Sequence, residues 1–200
     1  MSILNKNRAV FLDRDGTINE EVGYLDDLDK LVILPGTPAA IRLINESGMK
    51  AVVVTNQAGV AKGYFSEEFV RKTHDRISEI LAAEGAFIDR FYYCPHHPTA
   101  GTGIYLDACN CRKPLPGMLL QAAEDLQIDL PRSYLIGDMP RDMEAAAAAG
   151  ATGILVRTGY AGGLPETSPA APSSGTTATP AHIADDILDA VQWIMNEHRT

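Results

Sequence analysis

Five short apolar runs, each separated from the next by a stretch of helical periodicity, constrain this chain more than anything else in it. Ala9 to Leu12, Ala51 to Val54, Phe91 to Tyr93, Tyr134 to Ile136 and Ile154 to Val156 are apolar or aromatic throughout and too short for buried helices. They lack the polar alternation of a half-exposed sheet, so they predict strands covered on both faces. Helices are expected between them over Pro38 to Ser47, Ser66 to Glu84, Pro116 to Leu126 and Pro140 to Ala149. Ser66 followed by two glutamates is an N-cap signal, and Pro140 and Gly150 bracket the fourth helix with the expected asymmetry. Strand and helix in alternation predict an α/β fold with a doubly wound parallel sheet and a Rossmann-like core. Ligands then bind beyond the carboxyl ends of the strands.

Two hundred residues, 46% of them hydrophobic, suit a single domain over residues 1–200, and no large inserted cap domain is visible. Leu164 to Pro180 is rich in Pro, Ser, Thr and Ala, which predicts a flexible surface loop before a last amphipathic helix over Ile183 to Asn196. The formal charge of −9 opposes any general attraction to nucleic acid or an anionic membrane. An anionic substrate therefore needs local cations or a metal. No stretch approaches a membrane span, and the N-terminal segment does not read as a signal peptide, so the chain is expected to be cytoplasmic. Without an evident dimerisation stripe it is expected to be a monomer.

The polar residues that follow each apolar run carry the chemistry. Asp13 and Asp15 follow the first, Thr55, Asn56 and Gln57 the second, and Asp138 with Asp142 the fourth. All converge on one edge of the predicted sheet. Carboxylates gathered there would repel one another unless a cation sat among them, and an all-oxygen donor set suits Mg²⁺. Lys113 supplies a fixed positive charge for a phosphate and Thr55 a hydroxyl donor. Asp142, in the first turn of a helix, also suits the helix dipole, and its part is a supporting one.

A second constellation is CPHHPTAGTGIYLDACNC, from Cys94 to Cys111. Cys94, Cys109 and Cys111 with one histidine complete a closed tetrahedral Zn²⁺ site, a structural staple for a loop with no apolar periodicity of its own. Chemistry alone leaves open whether His96 or His97 binds, and three free thiols are the plain alternative. Arg112 and Lys113 follow at once, placing two cations at the pocket, and Arg112 can grip substrate oxygens in a bidentate manner.

Asp13-Arg14-Asp15-Gly16-Thr17, Thr55-Asn56, Lys113-Pro114 and Gly137-Asp138 with Asp142 resemble, in order and spacing, the four motifs of the haloacid dehalogenase-like (HAD-like) phosphatases. The resemblance implies that Asp13 is a nucleophile forming an aspartyl-phosphate and Asp15 a general acid and base. It places Mg²⁺ among Asp13, the Asp15 carbonyl and Asp138, with Thr55 and Lys113 on the phosphoryl oxygens. DRDGTIN, VTNQAGVAKGYFSEEF, YYCPHHP, CNCRKPLPGM and LVRTG are similar to the heptose 1,7-bisphosphate phosphatases of that family over about residues 8–160. This likeness selects His96 as the zinc ligand and implies a small phosphorylated sugar as substrate. Its contacts would come from Glu21, Val22, Gly23, Tyr24, Thr55, Asn56, Gln57, Ala58, Arg112 and Lys113. The histidinol-phosphate phosphatases share this core and zinc loop and are the rival reading. Where the heptose enzymes often carry lysine after Gly-Asp, this chain has Met139, and Lys62 is the candidate replacement. Two other classes are weighed: a zinc-stabilised binding module with a vestigial pocket, which has no need of the complete set, and a nucleic-acid 3′-phosphatase, which the acidic balance opposes.

Overall fold

The apolar runs lie edge to edge in one sheet whose strands all run the same way. The computed structural model describes residues 6–160 and 178–197. Most of the expected loop, residues 164–177, lies outside the described residues. The strands are β1 (Ala9–Leu12), β2 (Lys50–Asn56), β3 (Arg90–Cys94), β4 (Tyr134–Gly137), β5 (Thr152–Val156) and β6 (His182–Ala184). The helices are α1 (Thr37–Glu46), α2 (Glu67–Ala83), α3 (Gly117–Asp125), α4 (Pro140–Ala149) and α5 (Ile187–Glu197). The sheet order is β3-β2-β1-β4-β5-β6, with every ladder parallel. The chain winds outward from β1 to β3, returns to β4 on the other side of β1, and winds outward again. The reversal leaves a crevice at the carboxyl ends of β1 and β4.

Both faces of the sheet are covered, as the continuous apolar runs require. Val10, Leu12, Val53 and Ile136 join Ile41 and Ile44 of α1, Ile77 and Leu81 of α2, and Val191 and Ile194 of α5 in one core. Ala9, Phe11, Val52 and Leu135 face the other way, onto Met118 and Leu119 of α3 and Ala145 and Ala146 of α4. No helix among the described residues is long and apolar enough to cross a membrane.

Two elements depart from the sequence expectation. Strand β2 continues past its apolar residues, because Thr55 and Asn56 pair with Tyr93 and Cys94 of β3. Backbone ladder bonds, indifferent to side-chain polarity, thus hold two predicted site residues in regular strand geometry. The last helix begins later than expected: Ile183 and Ala184 form part of β6, paired with Leu155 and Val156. Its true start is marked by a reciprocal cap, in which Asp189 N–H donates to Asp186 Oδ1 (2.9 Å) and Asp185 N–H to Asp189 Oδ2 (3.1 Å).

Leu119 is fully buried between α3 and the sheet. Leu119→Ala is expected to cost about 2–5 kcal/mol in denaturant unfolding, since the rigid layers close poorly over the cavity. A loss below about 1 kcal/mol would show that α3 is not packed as described.

Candidate active site

Asp13 stands at the crevice because β1 ends there, and its N–H donates to Ile136 O of β4 (2.9 Å). Its Oδ1 accepts the Arg14 N–H (2.7 Å), and its Oδ2 lies 2.9 Å from Lys113 Nζ. The Lys113 ammonium is buried and meets three oxygens: Asp13 Oδ2, Asp142 Oδ1 at 2.7 Å and Val54 O at 2.8 Å. One proton is thus hydrogen-bonded to a strand carbonyl and the charge is paired with two carboxylates. Burial works against the charge on Lys113, but Asp13 and Asp142 outweigh it and raise its pKa. The lysine backbone is clamped by Asn56, whose Oδ1 accepts Lys113 N–H and whose Nδ2 donates to Lys113 O, each at 3.0 Å. Asp142 is aligned in turn by the Met139 N–H, which donates to its Oδ2 (3.0 Å).

Asp13, Asp138 and Asp142 are all buried, with carboxylate oxygens within 4.8 Å of one another. Burial first, with Asp142 adding to it against Lys113, pushes Asp13 up to about 6. Burial, followed by Asp13 and Asp142, pushes Asp138 up to about 7. The protein's own cations leave this cluster under-neutralised. Asp138 Oδ2 accepts the Tyr160 N–H (2.8 Å), and a Cβ on Gly16 or Gly159 would run into that carboxylate. Gly16 also takes a positive φ of 78°, which side-chain-bearing residues rarely adopt. Backbone thus comes close on two sides of a buried oxygen cluster, a donor set that fits a hard divalent cation.

Asp15 occupies a different environment. Arg14 Nη2 lies 2.7 Å from both of its oxygens and Nε 3.0 Å from Oδ1, while Asn19 Nδ2 (3.0 Å) and Gln57 Nε2 (2.9 Å) also donate to it. Burial opposes ionisation, but Arg14 with these amide donors outweighs it and holds Asp15 below the usual carboxylate range. Gln57 Nε2 also donates to Thr55 Oγ1 (2.9 Å), linking the ends of β1 and β2.

Asp13, Asp15, Thr55, Asn56 and Gln57 open into a cavity of about 200 Å³. Of the predicted substrate contacts, Glu21, Gly23, Tyr24, Thr55, Asn56, Gln57, Ala58 and Arg112 line it. Val22 does not and is 41% exposed, while Lys113 sits behind Asp13. Lys62, the candidate replacement cation, is also off the lining, and its ammonium donates to the Tyr24 hydroxyl (2.7 Å). Sequence reasoning missed Arg141 and Tyr160, both on the lining. Arg141 had a signal: a helix N-terminus favours anions, so a cation at the second position of α4, on the edge that carries Asp138, is out of place electrostatically.

The cysteine loop also converges. Cys109 Sγ lies 3.4 Å from Cys94 Sγ and 3.1 Å from Cys111 Sγ, and His96 Nδ1 lies 3.9 Å from Cys94 Sγ and 3.5 Å from Cys111 Sγ. Sulfurs sharing a tetrahedral zinc at about 2.3 Å lie about 3.8 Å apart, whereas a disulfide spans about 2.05 Å. The cluster fits the first. Hydrogen bonding to Cys94 and then burial push the Cys111 thiol up, as expected where several thiolates lack a shared cation. His97 is occupied elsewhere, its Nδ1 accepting Thr99 N–H (3.2 Å) and Ala100 N–H (2.9 Å). Tyr93 and Tyr105 donate to Glu67 of α2 (2.6 and 2.8 Å), anchoring both sides of the loop.

An open parallel sheet carrying a lysine-paired aspartate, an acid cluster and a lined cavity at its switch point defines a hydrolase of the HAD-like class. Comparison agrees: the HAD-hydrolase-like family model matches residues 110–190. A D-glycero-D-manno-heptose-1,7-bisphosphate 7-phosphatase of Thermosynechococcus vestitus is 41% identical over 190 residues, 93% of this chain and 94% of that protein. The D-glycero-beta-D-manno-heptose-1,7-bisphosphate 7-phosphatase of Yersinia pestis is 46% identical over 152 residues, 76% of this chain and 81% of that one. A crystal structure of D,D-heptose 1,7-bisphosphate phosphatase from B. bronchiseptica, complexed with magnesium and phosphate, superposes with a TM-score of 0.78 at 32% identity, covering 95% of this chain and 99% of that one. The chain belongs to the HAD-like hydrolase family and is a phosphatase within it.

The raised carboxyls set a pH dependence for the metal-free protein. Asp138 binds its proton more tightly folded than unfolded, so its contribution to stability falls as pH rises from about 4 toward about 7. Thermal melts of chelator-treated protein are expected to show that decline, and Asp138→Asn to flatten it. Parallel curves for the two proteins would remove the assignment.

Proposed function

We propose that this phosphatase removes the 7-phosphate of D-glycero-D-manno-heptose 1,7-bisphosphate with Mg²⁺, through an aspartyl-phosphate on Asp13, in ADP- or GDP-heptose precursor synthesis. The observation that carries the reading is the joining of two facts: the complete acid, hydroxyl and lysine set stands at one sheet edge, and the T. vestitus relative bearing that activity in its name aligns over nearly all of both chains. The acidic chain and the sugar-phosphate chemistry suit a cytoplasmic enzyme, which we read as a monomer.

An Asp13 oxygen attacks phosphorus in line while the sugar oxygen leaves and takes a proton from Asp15. Asp15 then accepts a proton from the water that attacks the phosphorylated Asp13, releasing phosphate and restoring both carboxyls. Arg14, Asn19 and Gln57 hold Asp15 ionised in the free site, and an incoming phosphate dianion raises its pKa toward the acid role. Thr55 presents its hydroxyl to the phosphoryl oxygens, while Lys113 keeps Asp13 aimed and offsets charge behind it. Magnesium, held by Asp13, Asp138 and the Asp15 carbonyl, supplies further charge neutralisation at the phosphoryl group when bound.

Cys94, His96, Cys109 and Cys111 would hold a structural zinc. Its reach to the site is short, since Arg112 Nη1 donates to His96 O (3.3 Å). Metal analysis is expected to find about one zinc per chain, and Cys109→Ala to lose it along with part of kcat/KM. Full activity without zinc would overturn the role.

The deciding experiment measures phosphate release with Mg²⁺ from both anomers of heptose 1,7-bisphosphate, histidinol phosphate and a 3′-phosphorylated oligonucleotide. A large kcat/KM preference for a heptose bisphosphate is expected, and a preference for histidinol phosphate would overturn the substrate. Asp13→Asn is expected to fold normally and lose at least about a thousandfold in kcat. Substantial turnover would remove Asp13 as nucleophile.

A further inference from the structure

One carboxylate outside the cysteine loop grips the loop at two points. Tyr93 immediately precedes Cys94, and its hydroxyl donates to Glu67 Oε2 (2.6 Å). Tyr105 lies within the loop, and its hydroxyl donates to Glu67 Oε1 (2.8 Å). The carbonyl of the same Tyr105 accepts the N–H of His97 (3.0 Å), the residue after His96. One oxygen of Glu67 is thus tied to the chain beside Cys94, and the other to the chain beside His96.

The loop has little else to fix its shape. Thr99, Ala100, Gly101, Thr102 and Gly103 follow one another, and Ile104 and Leu106 are 79% and 48% exposed, so apolar packing does not order it. Its backbone bonds close on themselves, with Leu106 N–H donating to Gly103 O and Asp107 N–H to His97 O, each at 3.3 Å. Glu67 itself is held firmly. It opens α2, where the Ser66 side chain accepts the Phe69 N–H (3.2 Å) and caps the first turn. Its neighbour Glu68 shows what a glutamate at this position otherwise does, pairing with Lys72 on the exposed face (2.8 Å). Glu67 instead turns to the loop, and its negative charge strengthens both phenol bonds.

We propose that Glu67 is a positioning residue for the zinc site, holding Tyr93 and Tyr105, and through them Cys94 and His96, in the arrangement the ion requires. The inference rests on the reading of Cys94, His96, Cys109 and Cys111 as that site. A loop ordered beforehand leaves less conformational entropy to be lost when the metal arrives, so the strap raises zinc affinity.

The test measures zinc affinity by competition with a chromophoric chelator. Glu67→Ala is expected to weaken binding about 10- to 100-fold, the range for outer partners of metal ligands. Glu67→Gln, which keeps a neutral acceptor, is expected to fall between that variant and the wild type. Tyr93→Phe with Tyr105→Phe is expected to match Glu67→Ala, and adding Glu67→Ala to that pair to cost little more, because the same bonds are lost. A merely structural role would destabilise the zinc-free and zinc-loaded proteins equally and leave the affinity unmoved. Unchanged affinity in Glu67→Ala, or losses that add in full, would overturn the role of Glu67 while leaving the zinc site intact. A wild type that binds no zinc would instead overturn the zinc reading. Tyr105→Phe removes one hydroxyl from a half-exposed ring and is expected to fold normally, with affinity lower by about 3- to 10-fold. Wild-type affinity in Tyr105→Phe would overturn the strap even if Glu67→Ala fails to fold.

Discussion

The buried ammonium of Lys113 is the interaction on which the rest of the site depends. A buried lysine is tolerated only when its charge is paired, and here two carboxylates pair it while a strand carbonyl accepts one of its protons. Removing any partner leaves charge uncompensated in a dry interior. The ammonium therefore ties together three elements far apart in sequence: β1 through Asp13, the end of β2 through Val54, and α4 through Asp142. Its own backbone is in turn clamped by Asn56. The position of Asp13, the proposed nucleophile, follows from this knot, with Arg14 N–H fixing the other oxygen.

The same knot explains how neighbouring carboxylates come to differ. Asp13 and Asp138 are buried among acids and pushed up, whereas Asp15, adjacent but for one residue, meets Arg14, Asn19 and Gln57 and is held down. Divergent environments for close carboxyls are how a single pocket supports a nucleophile or metal ligand beside a proton carrier. Here the divergence comes from strand-end geometry, since the turn after β1 sends Asp13 toward Lys113 and Asp15 toward α2 and Gln57.

Much of this was legible in the sequence because parallel-sheet chemistry is tied to strand ends. Asp13, Thr55 and Asp138 could be placed on one edge from apolar runs alone, and the sheet brings them there. His96 and His97 could not be separated by composition, and only the turn that ties His97 to Thr99 and Ala100 distinguishes them. β6 was hidden because Ile183 and Ala184 satisfy helical periodicity as well as strand pairing, and pairing with β5 is a tertiary fact. Lys62 was read as a pocket cation because loop charges carry no direction in a sequence, and it turns to Tyr24. Arg141 escaped notice for the converse reason, since a single arginine in the first turn of a helix reads as a solvated residue until the cavity is seen around it.

The acidic character of the chain gives the local cations their meaning. With a formal charge of −9, the protein's long-range field repels a polyanionic sugar phosphate, and salt beyond a Debye length of about 8 Å weakens that repulsion in the cell. Affinity must then come from short-range contacts, where the interior's lower polarity strengthens each pairing. Lys113 is already consumed in pairing Asp13 and Asp142, so the attraction felt by an arriving substrate falls to whatever cation joins the acid cluster and to Arg112 and Arg141 on the cavity lining. An acidic enzyme built this way repels anions at long range and holds them only where local cations on the cavity lining outweigh that field.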